Sequence, residues 1–301
     1  MNTIDLIKNI FFLLIFLYVF PPLVKNVVKS YQDFLEPKTS VAVISIKGAL
    51  YDATPYIRQL HTYFKDRSIK AILLHMECPG SATGTGESIY NEIIHLKKEY
   101  QKPIFTLVEN TCASGGYLIA CGTDYIIAPG MSLVGSIGVC LPYVFQLRQL
   151  LEKNDITYVP LTAGTYKSAT DPFTDLTADQ KTILLSMLEN TYEQFKTIVI
   201  ENRKLSAKTE KEWADGKIFT GQQALKLGLI DAVGSASTMV KVIKERAMIE
   251  GEIEWVKQIK PLSLLKSLFT GEQSDSDNSF IESTVNNLCA VLENRYLTPR
   301  L

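Results

Sequence analysis

The spacing of apolar and polar positions changes character several times along the chain. Between Lys8 and Lys25 lie sixteen residues without a charge, N-I-F-F-L-L-I-F-L-Y-V-F-P-P-L-V. As a helix they would span about 24 Å, short of a ~30 Å hydrocarbon core, with Lys8 and Lys25 placed to snorkel outward. The run ends in Pro21-Pro22-Leu23-Val24-Lys25 and not in the small residues of a cleavage site. A retained membrane anchor over 1–30 is therefore expected in preference to a cleaved leader. Lysines stand on both sides of the run, so loop charge does not fix its orientation. A polar spacer over 31–40 follows.

From 41 to 250 short apolar runs alternate with helix-spaced segments. Strands are predicted at Val41–Ile46, Lys70–His75, Ile104–Val108 and Tyr125–Ala128, with helices at Thr54–Asp66 and Glu87–Lys98 between them. After Val134 the reading is a further turn and strand at G-S-I-G-V, a helix near Phe145–Lys153, a strand Ile156–Leu161 and a loop Thr162–Asp175. Thr177-Ala-Asp-Gln180 has capping-box spacing and opens a long helix to about Arg203. Ser206–Ala214, Thr220–Leu227 (stopped by Gly228) and Ser235–Arg246 are shorter helices. Strands alternating with helices of about a dozen residues predict an α/β domain with a largely parallel sheet. Beyond 250 the chain reads as a C-terminal linker and docking helix over 251–301. Gly271–Ser279 is polar and acidic, and Ile281, Val285, Leu288 and Leu292 fall on one helix face.

Composition narrows the picture. In 301 residues, 46% hydrophobic and 21% charged content are those of a globular protein with a real core. A net charge of −1 without a basic run excludes nucleic acid as an expected partner. The five cysteines are scattered and form no metal or redox motif, so they read as small core residues, and neither metal nor cofactor is expected.

The chemistry gathers at T-C-A-S-G-G-Y, Thr111–Tyr117. Ser114 sits where an apolar strand turns into a helix. Free N–H groups and the positive end of the helix dipole there would suit a nucleophile whose attack creates an oxyanion. The same residues also fit a plain N-cap and tight turn. Two more glycine-bearing turns, Cys78–Ser81 and Val134–Gly138, follow apolar strands and would share the carboxyl edge of a parallel sheet. A serine nucleophile needs a base. His61, His75 and His95 fit surface or core roles better than a Ser-His-Asp triad. A lysine would have to be buried to bring its pKa from about 10.4 to about 7–8. Spacing alone does not select which lysine.

The segment from about Val41 to Glu245 resembles the signal peptide peptidase A family, also called protease IV. These are membrane-anchored Ser-Lys serine peptidases with a fold related to the Clp protease and crotonase families. A-S-G-G-Y at Ala113–Tyr117 matches the nucleophile motif, which makes Ser114 the attacking group. G-S-I-G at Gly135–Gly138 resembles the next motif, and its Ser136 the residue that positions the lysine. G-T-Y-K at Gly164–Lys167 resembles the base-bearing loop, implying Lys167 as general base. Asp215–Asp231 resembles a late motif that is structural and places no catalytic group. The family usually has Asn-Ser-Pro-Gly-Gly where this chain has Glu77-Cys78-Pro79-Gly80-Ser81. The implied oxyanion donors are the N–H groups of Ser81 and Gly115. A positive φ at Ser81 would cost on the order of 1 kcal/mol relative to glycine.

The resemblance implies a membrane-bound homo-oligomer, with subunits able to share a site. It also implies a catalytic domain on the extracytoplasmic side and substrates such as signal-peptide remnants. Two other classes fit fewer features. A catalytically inactive membrane scaffold would explain the altered Glu77–Ser81 turn. A crotonase-like acyl-CoA enzyme would share the glycine turns but not an anchor.

Overall fold

The computed structural model describes residues 16–18, 20–22, 24–25, 38–141 and 145–257. The expected linker 271–279 and docking helix near 281–292 lie outside the described residues, as does most of the expected anchor. Among the described residues no helix is long and apolar enough to cross a membrane.

The strands are β1 (Lys38–Lys47), β2 (Ile69–Cys78), β3 (Ile104–Ala113), β4 (Tyr125–Ala128), β5 (Leu133–Gly135), β6 (Ile218–Thr220), β7 (Ala232–Val233) and β8 (Glu252–Lys257). The helices are α1 (Thr54–Lys65), α2 (Thr83–Tyr100), α3 (Gly115–Cys121), α4 (Arg148–Lys153), α5 (Ala178–Arg203), α6 (Glu210–Trp213), α7 (Gly221–Lys226) and α8 (Ala236–Arg246). One sheet runs β6-β5-β3-β2-β1-β8, with β4 and β7 on a side branch from β3. Every pairing is parallel except β5 with β6.

Both faces of the central strands are covered, which is why they read as nearly unbroken apolar runs. Ala42, Ile44, Ile46, Ile72, Leu74 and Met76 pack under α1, α2 and α3. Val41, Val43, Leu73, Phe105 and Leu107 face the other way, onto Met239 and Ile243 of α8. Cys78, Cys112 and Cys121 are buried as small core residues, while Cys140 is exposed. Burial raises all three buried thiols, that of Cys121 to about 12, so they stay neutral near pH 7.

The most consequential feature is a fork. Residues 105–107 of β3 pair with β4, and residues 111–113 of the same strand pair with β5 on the same side. The stretch 108–110 separates the two branches. The second branch carries the last residues of β3 to the edge where Ser114 begins.

Four expectations are corrected. The sheet extends past the expected limits of 41 and 250. β1 starts at Lys38, inside the expected spacer, and β8 adds a parallel edge strand to β1. No strand forms at 156–161, where every residue is exposed. A strand is stable only when a neighbour takes its backbone hydrogen bonds, and among the described residues this segment has no such neighbour. At Val134 the strand precedes Ser136 and does not follow Gly138. The expected Ser206–Ala214 helix is a 3-10 turn followed by the four-residue α6. The capping box at Thr177 and Gln180 forms as expected. Gln180 also donates to the Thr165 carbonyl, tying α5 to the loop that carries Lys167.

Candidate active site

Register alone assembles most of the site. Cys78 pairs with Cys112 and Cys112 with Val134, so one row crosses β2, β3 and β5. Two residues further on lie Gly80, Ser114 and Ser136. The Ser114 N–H donates to the Gly135 carbonyl at 2.8 Å, and the Ser136 N–H donates to the Lys217 carbonyl at 2.7 Å. Both serines hold φ near 50°. For Ser114, with ψ −127°, this is a strained conformation that turns the chain sharply from β3 into α3. A Cβ on Gly80 would come 3.6 Å from Ser114 Oγ, so the Gly80-Ser81 turn passes directly beside the nucleophile candidate.

The Ser81 turn is pinned from the side away from Ser114. Leu50 N–H donates to the Gly80 carbonyl and the Leu50 carbonyl accepts from Ala82 N–H, which makes Leu50 and Ser81 a parallel bridge. In that pattern the bridged residue's own N–H faces the opposite side. The Ser81 amide nitrogen lies 2.8 Å from where a Cβ on Gly115 would sit, so the Ser81 amide abuts the first residue of α3. Gly115 opens that helix, and its N–H has no intrahelical acceptor. Two backbone donors therefore flank Ser114. Ser81 does not have a positive φ, so the backbone cost considered for a serine there does not arise. Any side chain on Gly115 would collide with Ser81, its Cβ falling 1.9 Å from Ser81 Oγ.

Ser81, Ser114 and Ser136 line one cavity of about 800 Å³, closed by Leu185, Glu189 and Tyr192 of α5. The Asp215 N–H donates to Tyr192 Oη at 2.9 Å, joining α5 to the late motif across the cavity. A recess of about 50 Å³ shares Ser81 and Ser114 and is walled by Leu118, Phe195 and Ile198. The sequence reading gives α5 no part in the site. A sign of it is the run of exposed apolar residues in its first half, Ile183, Leu185 and Met187, of which Leu185 lines the cavity and is itself 53% exposed.

Lys167 is not brought to this cavity. It is exposed, in the turns that follow Gly164, and is not among the cavity's lining residues. Among the described residues no lysine lines the cavity; Lys217, which follows the lining Gly216, directs its ammonium to the Lys211 carbonyl. The histidines are also elsewhere. His61 pairs with Glu92 at 2.9 Å, His75 with Glu109 at 3.3 Å and His95 with Glu99 at 3.5 Å. Among the described residues the site holds a nucleophile candidate, two backbone donors and a second serine, but no nitrogen base. Among the described residues no group of acidic, histidine or cysteine side chains could hold a metal ion.

The late motif is the floor of this arrangement. Tyr117 of α3, fully buried, donates from its hydroxyl to the Leu229 carbonyl at 2.7 Å. Asp231 accepts two hydrogen bonds from Arg203 and a third from the Ile126 N–H. Replacing Asp231 by alanine would strand the Arg203 guanidinium, whose side chain is 8% exposed. A loss of about 3–5 kcal/mol is expected by chemical denaturation. The double replacement of Asp231 and Arg203 by apolar residues should cost less than Asp231→Ala alone.

Comparison with known proteins points the same way. The profile of peptidase family S49 matches residues 96–250. A putative protease of Methanocaldococcus jannaschii is 36% identical over 198 residues, covering 66% of this chain and 63% of that protein. A putative protease of Synechocystis is 30% identical over 234 residues, covering 75% of this chain and 82% of that protein. A putative signal peptide peptidase SppA of Enterococcus faecium is 30% identical over 204 residues, covering 67% of this chain and 59% of that protein.

Proposed function

The chain belongs to peptidase family S49, and from that footing we propose that it is a membrane-anchored serine endopeptidase acting through Ser114 and Lys167. The observation that carries this reading is the placing of Ser114 at the carboxyl edge of a parallel sheet. The Ser81 and Gly115 amides lie on one side of it and an open cavity on the other. In this mechanism Ser114 Oγ attacks the peptide carbonyl carbon while the neutral Lys167 amine takes its proton. The two amides hold the oxyanion. The lysine returns the proton to the leaving amine, and water then clears the acyl-enzyme. Ser136 orients the lysine. The small apolar recess beside Ser114 suits a small apolar side chain next to the cleaved bond.

Lys167 reaches this site from a second copy of the chain. Two features support that reading: among the described residues the cavity has no base of its own, and the segment 156–166 leading into Lys167 carries uncovered apolar groups. Ile156 is 54% exposed, Val159 68%, Leu161 93% and Tyr166 52%. Docking on a neighbour would bury them, give 156–161 the strand partner it lacks, and desolvate the amine as a lysine base requires. The substrates are membrane-derived peptides such as signal-peptide remnants. An anchor at the N-terminus would hold the domain at the extracytoplasmic surface, where those peptides are concentrated.

A fluorophosphonate probe tests the reading directly. The full-length protein in detergent should be labelled at Ser114, as read by peptide mapping. Absence of labelling in a protein that is assembled and folded would favour the inactive scaffold.

A further inference from the structure

The sheet face turned away from α1, α2 and α3 is only partly covered. Met239 and Ile243 of α8 pack on Val41, Val43, Leu73 and Leu107. Further along the same strands Ser45 and Lys47 are exposed and His75, which pairs with Glu109, is half-buried. Between these residues and the first turns of α8 lies a groove of about 300 Å³. Its floor is apolar, formed by Val43, Leu73, Leu107, Met239 and Trp255, and Lys47 and Lys257 stand at its rim. Among the described residues no acidic side chain lines it, and it shares no residue with the Ser114 cavity.

An apolar groove open to water is unfavourable, and covering it is stabilising. The course of the chain indicates what covers it. β8 is parallel to β1 and runs to Lys257, whose partner in register is Val43. β1 continues for four more residues, to Lys47. A chain that leaves β8 in the same direction therefore travels alongside the groove. The four Cα steps from Lys257 to Pro261 reach at most about 14 Å, close to the ~13 Å rise of β1 from Val43 to Lys47. Whatever follows Pro261 is held next to the groove at a high effective concentration.

Residues 258–269 lie outside the described residues and read Q-I-K-P-L-S-L-L-K-S-L-F. At 3.6 residues per turn Leu262, Leu264, Leu265, Leu268 and Phe269 share one side, with Lys260, Ser263, Lys266 and Ser267 on the other. Pro261 suits a first helical position, and Gly271 follows the last apolar residue. Glu272, Asp275 and Asp277 come next, opposite in sign to the lysines at the rim.

We propose that residues 261–269 dock in the groove of their own chain as an amphipathic helix, with Leu265 and its apolar neighbours seated on the floor that includes Trp255. Docked there, the segment closes the back of the sheet. It also fixes the point from which the acidic stretch 271–279 sets out, on the face opposite α3. Docking does not depend on the peptidase activity, and its test uses none.

Two readouts in the full-length protein in detergent test it. Of the two tryptophans, Trp213 is fully buried and Trp255 lines the groove. Trp255 should be shielded from acrylamide, and trypsin should cut slowly after Lys266. Leu265→Asp should raise acrylamide quenching about two- to threefold and cleavage after Lys266 about tenfold or more, since cleavage tracks the undocked fraction. Trp255→Phe identifies which tryptophan carries the signal, and circular dichroism establishes that each variant is folded. Ala236→Arg obstructs the groove from the half-buried first turn of α8 and should speed the same cleavage. Quenching and cleavage unchanged in Leu265→Asp would overturn the proposal. So would slow cleavage that survives Ala236→Arg but is lost in a different detergent, which would assign the segment to a lipid surface. Slow cleavage that disappears on dilution to single chains would place another copy's segment in the groove and overturn it equally.

Discussion

Replacing Ser114 by alanine is expected to lower peptide cleavage on the order of 10⁵- to 10⁶-fold while leaving the protein folded. Loss of a serine nucleophile removes the covalent route altogether, so the residual rate is what the backbone donors and binding alone supply. The measurement is steady-state cleavage of a fluorogenic peptide, with circular dichroism to establish folding. The backbone at this position adds a second, independent expectation. At φ 50°, ψ −127° an alanine bears the same strain as the serine, whereas glycine does not. Ser114→Gly should therefore be as inactive as Ser114→Ala but more stable, by about 1 kcal/mol. Cleavage by Ser114→Ala at the parent's rate would remove Ser114 from the mechanism.

Lys167→Ala is expected to be comparably inactive, and mixing it with Ser114→Ala should restore activity. If each site combines Ser114 of one copy with Lys167 of another, a mixed assembly contains some sites with both groups intact. Random mixing in equal amounts gives one site in four with a serine and a lysine, about a quarter of the parent's rate. In the single chain Lys167 is exposed, and among the described residues no lysine lines the cavity around Ser114. The mixture must be unfolded or dissociated and reassembled before assay. Rates that stay at the level of the two inactive parents, in a mixture whose exchange is verified by mass, would place both groups in one chain. Inactivity of Lys167→Ala should also be accompanied by loss of fluorophosphonate labelling at Ser114, since the lysine activates the serine.

Much of this architecture was open to inspection in the linear pattern, and the exceptions have physical causes. β1 to β4 stood out because burial on both faces demands continuous apolar runs. Their alternation with α1, α2 and α3 fixed the parallel class. The glycines after β2, β3 and β5 marked the turns, and register then carried Ser81, Ser114 and Ser136 to one place without any further signal. β8 was invisible because it is a half-exposed edge strand, E-I-E-W-V-K, whose charges at 252, 254 and 257 read as a linker. Its partner β1 lies some two hundred residues earlier, which no local window detects. The 156–161 segment failed in the opposite sense. Its β-branched and aromatic content is real, yet such content makes a strand only beside another strand. The wall formed by Leu185, Glu189 and Tyr192 was hidden for a similar reason, since which face of α5 meets the cavity is decided by tertiary packing.

The fork in β3 bears on which changes of chain length the protein can survive. Exposed stretches ordinarily accept insertions and deletions with little harm. Glu109 and Asn110 are exposed, so 108–110 looks permissive. It is not, because the residues on either side are paired to different neighbours in fixed register. Removing or adding one residue would turn Thr111, Cys112 and Ala113 to opposite sides of the sheet and rotate everything they deliver. A scan of single-residue deletions along the chain should therefore find an intolerant window on the solvent side of the molecule, at a place that point substitutions would pass over.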